Sequence, residues 1–514
     1  MYENIMEARN FVTARDMAER GNWIFTTING VPRYQKPPMP TWFTAAFGMI
    51  FGFSKIWALR LPAALMATLL TVSGYKVGKE IFKDAAQALT GALILATSFY
   101  IVFAGRNGTW DIYCHAFTVM GIYCLWHFLK GNKVYANAAC AGIFIGFSFL
   151  SKGPVSHYAL LLPFIIAYIA VYRPKFNRKK GLPLTVLILM ALIVGLSWGL
   201  IVYFFDHDTL TKVLAQEAAA RGNRNVRPFY YYWSFFTQSG IWTIPAFVSL
   251  LYPYLKTKVK DLQAYKFTLW WTLAAVVLLS IIPDKKSRYL MPVLIPLALN
   301  TSFYIKYIIE NFQDFTNKFE KLPVYFNFIV IAGAGLLAGV AGMFFLDLNG
   351  LWVWYVLLAL SLIIVAVLML RGLRQKNIAR VFWCVIAFLC CVVVFGFPVM
   401  RVTYTNPDFD RLAPKITALQ QQGETVYVYD NGSPELLWDL GQPLPSIEGV
   451  NGIEIPAENE FILLLDHARI EDFEATFKDY TIENLEIIDG NVLPATNRNH
   501  KDRRVAHMYK VSKK

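Results

Sequence analysis

Long apolar stretches alternate with short polar loops from residue 57 to residue 400. A helix needs about 20 apolar residues to cross a hydrocarbon layer roughly 30 Å thick. A further apolar stretch, residues 39–53, is short and flanked by proline, which predicts a helix lying in the membrane interface. The pattern predicts about twelve spans, at residues 57–76, 85–104, 112–130, 134–150, 155–172, 182–205, 231–254, 267–283, 289–308, 324–346, 351–370 and 380–400.

The tail is polar and follows a different pattern. Strand-like runs occur at Thr425–Tyr429 and Phe461–Leu465, with a further strand expected near 503–512. Helical patterns at about 411–422 and 468–479 precede and follow the second run. The tail therefore predicts a small α/β domain. The predicted domains are an external first loop with interfacial helices (1–56), a transmembrane domain (57–400) and a soluble domain (401–514).

Composition supports a membrane protein. Hydrophobic residues make up 56% of the 514 residues and charged residues only 16%, against about 25% in soluble domains. The net charge of +14 does not indicate nucleic-acid binding, because no basic stripe with interleaved aromatic residues stands outside the apolar segments. The six cysteines all lie in apolar runs, without zinc spacing or a disulfide framework.

Lysine and arginine predict the orientation. If the loop after the first span is cytoplasmic, every loop on that side is basic, as the positive-inside rule requires. Residues 1–56 and 401–514 then lie outside, on the periplasmic side of a bacterial inner membrane. An even number of spans joins two external ends, so we expect one more N-terminal spanning helix that this chain lacks.

The external loops carry a second set of polar residues. Their positive charges oppose the orientation rule and suit an anionic lipid head group near the helix ends. Asp111 has an equally good reading as a first-turn carboxylate at a helix N-terminus. Taken alone, Lys152 is better read as a lysine that reaches the membrane interface. The candidates are Glu7, Arg9, Tyr34, Lys36, Arg106, Asp111, Lys152, Arg221, Lys285, Arg288 and Tyr289.

These residues fall in segments that resemble the lipid A aminoarabinose transferase family, which is related to the protein O-mannosyltransferases. The resemblance covers about residues 5–310 in order and implies the GT-C membrane fold, with thirteen spans in the family and a periplasmic C-terminal domain. It rests on Met6-Glu7-Ala8-Arg9, Gly21-Asn22-Trp23, Asn29-Gly30, Gln35-Lys36-Pro37-Pro38 with Trp42, Arg106 to Asp111, Ser151-Lys152-Gly153, Arg227-Pro228-Phe229-Tyr230-Tyr231, and Lys285 to Tyr289.

The resemblance implies transfer of a sugar from a polyprenyl-phosphate carrier, with inversion at the anomeric carbon. Asp111 is the first candidate for the base and Glu7 the second. Lys36, Lys152 and Arg288 would stabilise the leaving phosphate. Further candidates for binding the donor phosphate are Arg9, Lys285 and Arg106. Candidates for orienting the substrates are Tyr34, Tyr289 and Arg221.

The chain also departs from that family. Met6 stands where the family has an aspartate, while Gln35 and Ala218 stand where it has a glutamate and a histidine linked to a bound metal. We therefore expect no zinc and no other cofactor, and a substrate pair other than aminoarabinose and lipid A. The acceptor, whether lipid, glycan or protein, stays open. The alternative function is a transporter or flippase of a lipid-linked or anionic solute, but clusters at one face favour catalysis.

Overall fold

The computed structural model describes residues 3–174, 178–223, 225–430, 432–449 and 452–514. The chain forms two compact units. We call Met1–Tyr34, Thr41–Leu59 and Met400–Lys514 the mixed unit, and Gln35–Pro40 with Arg60–Val399 the helical unit. The first loop and the tail, which were assigned to separate domains from sequence, thus share one unit. The three-domain division itself stays a prediction.

Helices dominate the structure, as predicted. The α-helices are α1 (Ile5–Arg20), α2 (Met39–Phe51), α3 (Ile56–Phe82), α4 (Ala85–Ala96), α5 (Phe99–Arg106), α6 (Asp111–Lys130), α7 (Val134–Lys152), α8 (Leu162–Tyr172), α9 (Gly181–Phe205), α10 (His207–Asn223), α11 (Thr243–Ser249), α12 (Tyr252–Leu255), α13 (Leu262–Ile281), α14 (Met291–Asn311), α15 (Lys318–Phe345), α16 (Trp352–Arg374), α17 (Ile378–Cys391), α18 (Phe397–Val399), α19 (Leu412–Gln421), α20 (Pro434–Leu440) and α21 (Ile470–Thr476).

Across the described residues, the strands form one four-stranded sheet and two short antiparallel pairs. In the larger sheet the order is β3-β6-β8-β7, with β3 and β6 parallel and the other neighbours antiparallel. The strands are β1 (Thr27–Ile28), β2 (Val31–Pro32), β3 (Val426–Val428), β4 (Glu448–Gly449), β5 (Gly452–Ile453), β6 (Glu460–Asp466), β7 (Tyr480–Asp489) and β8 (Val505–Lys513).

Across the described ranges, nine helices are long and apolar enough to cross a membrane, which makes this a multi-pass membrane protein. Helices α4 and α5 together form a tenth candidate, bent by 62°. The predicted number of twelve is therefore not confirmed. The predicted span 155–172 is a shorter apolar helix, His157–Tyr172, and the predicted span 231–254 is not one helix.

The segment 231–254 is divided into short helices at glycine and proline residues. Gly240 has a φ of 68°, in the left-handed region that favours glycine, and it interrupts the 3₁₀ stretch Phe235–Trp242. Two short helices, α11 and α12, follow, and Pro253 stands in the first turn of α12. An apolar run of the right length therefore does not become a span when glycine and proline divide it into short helices.

The mixed unit has a core on each face of its sheet. On one face, Val12 of α1 packs with residues of α19, α20 and the sheet, and the Phe11 and Trp438 rings lie 5.2 Å apart. On the other face, Phe461, Phe473 and neighbouring aromatic residues form a second cluster. Five consecutive residues of β6 are buried, as expected for a strand that is covered on both faces.

We expect Phe473→Ala to lower the free energy of unfolding of the mixed unit by about 3–5 kcal/mol, the usual cost of removing a buried ring. Phe473 has no exposed surface, and its ring centroid lies 4.8 Å from that of Tyr509. Ile487→Ala is the matched control, because Ile487 is 54% exposed and its truncation costs less than about 0.5 kcal/mol. Limited proteolysis of the detergent-solubilised protein against temperature measures both, and equal losses would contradict the assigned core.

Candidate functional site

The helical unit holds a buried ion pair where two helices meet. Helix α6 begins at Asp111 and its neighbour α7 ends at Lys152. The Lys152 ammonium donates a hydrogen bond to Oδ1 of Asp111, and the two side chains are 10% and 9% exposed. A carboxylate in the first turn and a lysine in the last turn each also favour the dipole of their own helix. A buried carboxylate thus lies in contact with a largely buried lysine.

Tyr289 lies among cations in the same unit. Its ring centroid is 5.8 Å from the Lys152 ammonium, 5.9 Å from the Arg288 guanidinium and 6.0 Å from the Lys286 ammonium. The charge of Arg288 also acts on the Asp111 carboxylate. Nε of Arg288 is buried and has no hydrogen-bond partner among the residues the structure describes. The arrangement offers positive charge and one unused donor, Nε of Arg288, to an anionic ligand.

A backbone clamp positions the segment that carries Arg288 and Tyr289. The hydroxyl of Tyr232 donates to the carbonyl of Lys286 at 3.1 Å and accepts from its N–H at 2.9 Å. The ammonium of Lys285, which is 3% exposed, donates to the carbonyls of Arg227 and Ile282. Sequence reasoning missed Tyr232. Lys285 was predicted to bind the donor phosphate, and the hydrogen bonds that the structure describes for its ammonium group go to these two carbonyls.

Two other predicted cations belong to the helical unit. Lys36 is half-buried, and beside it Oε1 of Gln35 is buried without a hydrogen-bond partner in the described part of the chain. The Arg106 guanidinium lies 3.7 Å from the centroid of the Phe397 ring, in a cation–π contact. The charge of Arg60 acts on Arg106.

The remaining predicted residues lie elsewhere or outside the description. Glu7 is fully buried in the mixed unit and caps α1: its Oε2 accepts from N and Nδ2 of Asn4 at 3.2 and 2.9 Å. Tyr34 is buried and Arg9 half-buried in the same unit. The side chain of Arg221 lies outside the described residues. The structure therefore brings together Asp111, Lys152, Arg288 and Tyr289.

The residues present do not fit the metal linked to the aminoarabinose enzymes. The two positions in question hold the amide of Gln35 and the methyl group of Ala218, and neither is a usual ligand of zinc. Over the described ranges, no group of three or more histidine, cysteine, aspartate or glutamate residues could hold a metal ion. A metal-free site stays a prediction.

This chain is similar to known proteins in sequence and in fold. Residues 35–198 match the family described as dolichyl-phosphate-mannose-protein mannosyltransferase. The undecaprenyl phosphate-alpha-4-amino-4-deoxy-L-arabinose arabinosyl transferase 2 of Pseudomonas fluorescens is 25% identical over 311 residues, which are 57% of this chain and 50% of that protein. The corresponding transferase of Pseudomonas aeruginosa LESB58 is 24% identical over 57% of this chain and 54% of its own. The chain spans about half the length of these relatives.

The fold has a solved counterpart. The crystal structure of ArnT from Cupriavidus metallidurans bound to undecaprenyl phosphate superposes with a TM-score of 0.68, covering 99% of this chain and 94% of that one, at 16% identity. The apo structure of the same protein gives a TM-score of 0.67.

The helical membrane unit, its charged pair at the helix ends and the appended sheet define a polytopic membrane protein with the GT-C fold. Its fold is that of the ArnT crystal structure, and residues 35–198 match the mannosyltransferase family model. The predicted fold class and the resemblance stated from sequence are therefore confirmed.

Proposed function

We propose that this protein transfers a sugar from a polyprenyl-phosphate carrier to a lipid, glycan or protein acceptor at the periplasmic face of the inner membrane. The observation that carries the proposal is the buried Asp111–Lys152 pair beside Arg288 and Tyr289. The named relatives act as undecaprenyl-phosphate-dependent arabinosyl transferases, which supports the same donor class. The description of the family matched over residues 35–198 names dolichyl-phosphate mannose, which is also a polyprenyl-phosphate sugar.

The proposed reaction is a single displacement. An acceptor oxygen attacks the anomeric carbon, its new bond forms as the bond from that carbon to the phosphate oxygen breaks, and the configuration inverts. The acceptor proton passes to a carboxylate, and the carrier leaves as a phosphate monoester. Asp111 is our first choice for the base because Lys152 favours its ionised form. Glu7 is the second choice, although its carboxylate caps α1.

Negative charge grows on the phosphate as it leaves, and fixed cations lower the energy of that state. Lys152 and Arg288 flank Tyr289 and carry this role in our proposal, with Lys36 as a third cation. Such a preorganised contact contributes about 2–4 kcal/mol in the transition state. Arg9, Arg106 and Lys285 stay secondary candidates for the phosphate. Tyr289, Tyr34 and Arg221 are our candidates for orienting the substrates.

The transporter alternative is less well supported. Transporters place ionisable residues near the middle of the membrane, where they are costly and functional. Helix α9 has no charged residue at all, and α15 and α16 carry theirs only near one end. Ionisable groups at helix ends favour chemistry at the membrane surface.

Gene deletion followed by mass spectrometry of surface glycans, lipid A and glycoproteins tests the proposed function. We expect one acceptor class to lose one monosaccharide while the polyprenyl-phosphate sugar accumulates, since its consumer is gone. Complementation with the native gene should restore the missing monosaccharide. Unchanged composition in all three acceptor classes would contradict the proposal. Because Met6, Gln35 and Ala218 depart from the aminoarabinose family, we expect the missing sugar not to be aminoarabinose on lipid A.

Cysteine labelling tests the proposed orientation. In a cysteine-free background, Lys478→Cys in the exposed tail should react with a membrane-impermeant maleimide in intact spheroplasts, since we place the tail in the periplasm. Lys83→Cys, whose native side chain is 70% exposed between α3 and α4, should react only after the membrane is opened. The reverse pattern would place the site on the cytoplasmic face.

A further inference from the structure

The mixed unit contains an open cavity of about 640 Å³, and all of its lining residues belong to that unit. This volume falls in the range of about 300–1,000 Å³ that is usual for small-molecule sites. None of Asp111, Lys152, Arg288 and Tyr289 lines it, so the proposed reaction does not account for it. Its walls come from α1, from the segment after α2 and from the tail.

One wall presents an incompletely bonded guanidinium. Arg15 lines the cavity and is only 2% exposed. Its Nη2 donates to the carbonyl of Leu437 at 3.2 Å, but Nε and Nη1 are buried with no hydrogen-bond partner in the described structure. Asp16 and Glu19 on the same helix offset part of its charge. Buried guanidinium donors are normally satisfied, so these two point to a ligand.

An unused acceptor lies in the same cavity. Glu435 is 3% exposed, and its Oε1 accepts from Nη2 of Arg503 at 2.9 Å. Its Oε2 is buried and accepts no hydrogen bond from any described residue. A ligand that carries both an anionic group and hydroxyl donors satisfies Arg15 and Glu435 at once.

The cavity is cationic and aromatic. Four arginines, Arg15 among them, line it against three carboxyl groups, those of Glu3, Glu435 and Asp439. Burial raises the pKa of Glu3 and of Asp439 above the usual range of a carboxyl group. The remaining ionic and aromatic lining residues are Arg401, Arg411, Arg504, Phe53, Tyr404, Phe409 and Trp438.

Aromatic faces pack against the C–H faces of sugar rings, whereas arginine binds phosphate and carboxylate through paired N–H donors. We propose that this cavity binds a saccharide that carries a phosphate or carboxylate group, with Arg15 contacting the anion and Glu435 a hydroxyl group. The inference concerns binding and does not depend on the proposed transfer reaction.

A second, smaller cavity extends the site. It has a volume of about 260 Å³ and shares Glu3, Glu435 and Arg504 with the first cavity. Its other lining residues include Asn499 and Lys501, which carry an amide and an ammonium group. The two cavities together suit an anionic oligosaccharide better than a single sugar.

Calorimetric titration of the full-length protein in detergent tests this inference. Glucuronic acid and glucose 6-phosphate are the carboxylate and phosphate probes, and the tighter of the two identifies the anion. We expect Arg15→Gln to weaken binding by at least about tenfold, because a hydrogen-bonded charge is lost. Arg401→Gln should weaken it less. Arg401 is exposed, so this second variant does not threaten folding.

Arg469→Gln is the matched control, because Arg469 pairs with Asp430 and Asp472 in the same unit and does not line the cavity. It should bind the probes as the native protein does. Binding of neither anionic sugar, or native affinity in both Arg15→Gln and Arg401→Gln, would overturn the inference. Glucose bound as tightly as glucose 6-phosphate would refute the anion requirement, and inorganic phosphate bound as tightly would refute the sugar requirement.

Discussion

Asp111→Asn is expected to reduce sugar transfer by about a thousandfold or more. An amide cannot accept the acceptor proton, and general base catalysis contributes roughly 10²–10⁴ in rate. The measurement is transfer from a polyprenyl-phosphate sugar by purified protein, once deletion has identified the acceptor. Activity within a few-fold of the native enzyme would remove Asp111 from the mechanism and leave Glu7 as the candidate base.

Asp84→Asn is the matched control for this prediction. Asp84 also pairs with a distant lysine in the helical unit, Lys306, at 2.5 Å. It follows the end of α3, and Glu80 of α3 lies 4.0 Å from His127 near the last turn of α6. Asp111 is the first residue of α6, a helix of 20 residues and about 30 Å. Asp84 therefore lies at the opposite end of α6, and its replacement should leave transfer unchanged.

Loss of folding must be separated from loss of chemistry. Removing one partner of a buried ion pair leaves a buried charge, which costs about 3–5 kcal/mol. The double variant Asp111→Asn with Lys152→Met removes both charges and should recover most of that stability. If the double variant is as stable as the native protein and remains inactive, the activity loss belongs to the chemistry. Recovery of activity together with stability would contradict a catalytic role for Asp111.

Lys152→Ala is expected to weaken use of the donor more than use of the acceptor. Losing a fixed cation beside the leaving phosphate costs about 2–4 kcal/mol of transition-state stabilisation, or roughly 30- to 800-fold in kcat/KM for the donor. The KM for the acceptor should change by less than about threefold. Varying each substrate at saturation of the other separates the two effects.

Lys306→Ala is the control for Lys152→Ala. Lys306 also forms an ion pair with an aspartate, but this pair lies at the ends of α6 and α14 that are far from Asp111 and Tyr289. Lys306 is 25% exposed and bonds Asp84 and Gln87. It should keep native donor kinetics. An unchanged donor affinity in Lys152→Ala, or an equal loss in Lys306→Ala, would count against a role of Lys152 at the phosphate.

Local patterns in the sequence predicted most of the elements. The apolar runs became membrane-length helices, and three strand-like runs of the tail became β3, β6 and β8. Strand β7 was missed because it lies at the edge of the sheet, where five consecutive residues are exposed and polar and apolar residues do not alternate cleanly. Helix α20 was missed because seven residues are too few for a helical period to show.

The number of spans could not be read reliably from apolar length alone. Residues 155–172 and 231–254 have the composition of spans, but the first forms a shorter helix and the second is divided by Gly240 and proline. Hydropathy measures transfer to lipid and takes no account of where the backbone turns.

The sequence by itself determined the class of protein, because membrane length, loop charge and the order of the motifs are local properties of the chain. Only the tertiary structure decided which charges meet: Asp111 bonds Lys152, 41 residues away, whereas Glu7 closes the cap of its own helix. It also decided that α1 packs with the tail in one of the two cores of the mixed unit, and that both contribute to the larger cavity. The physical reason is that a charged side chain needs a partner when it is buried, and the fold, not the spacing along the chain, selects that partner.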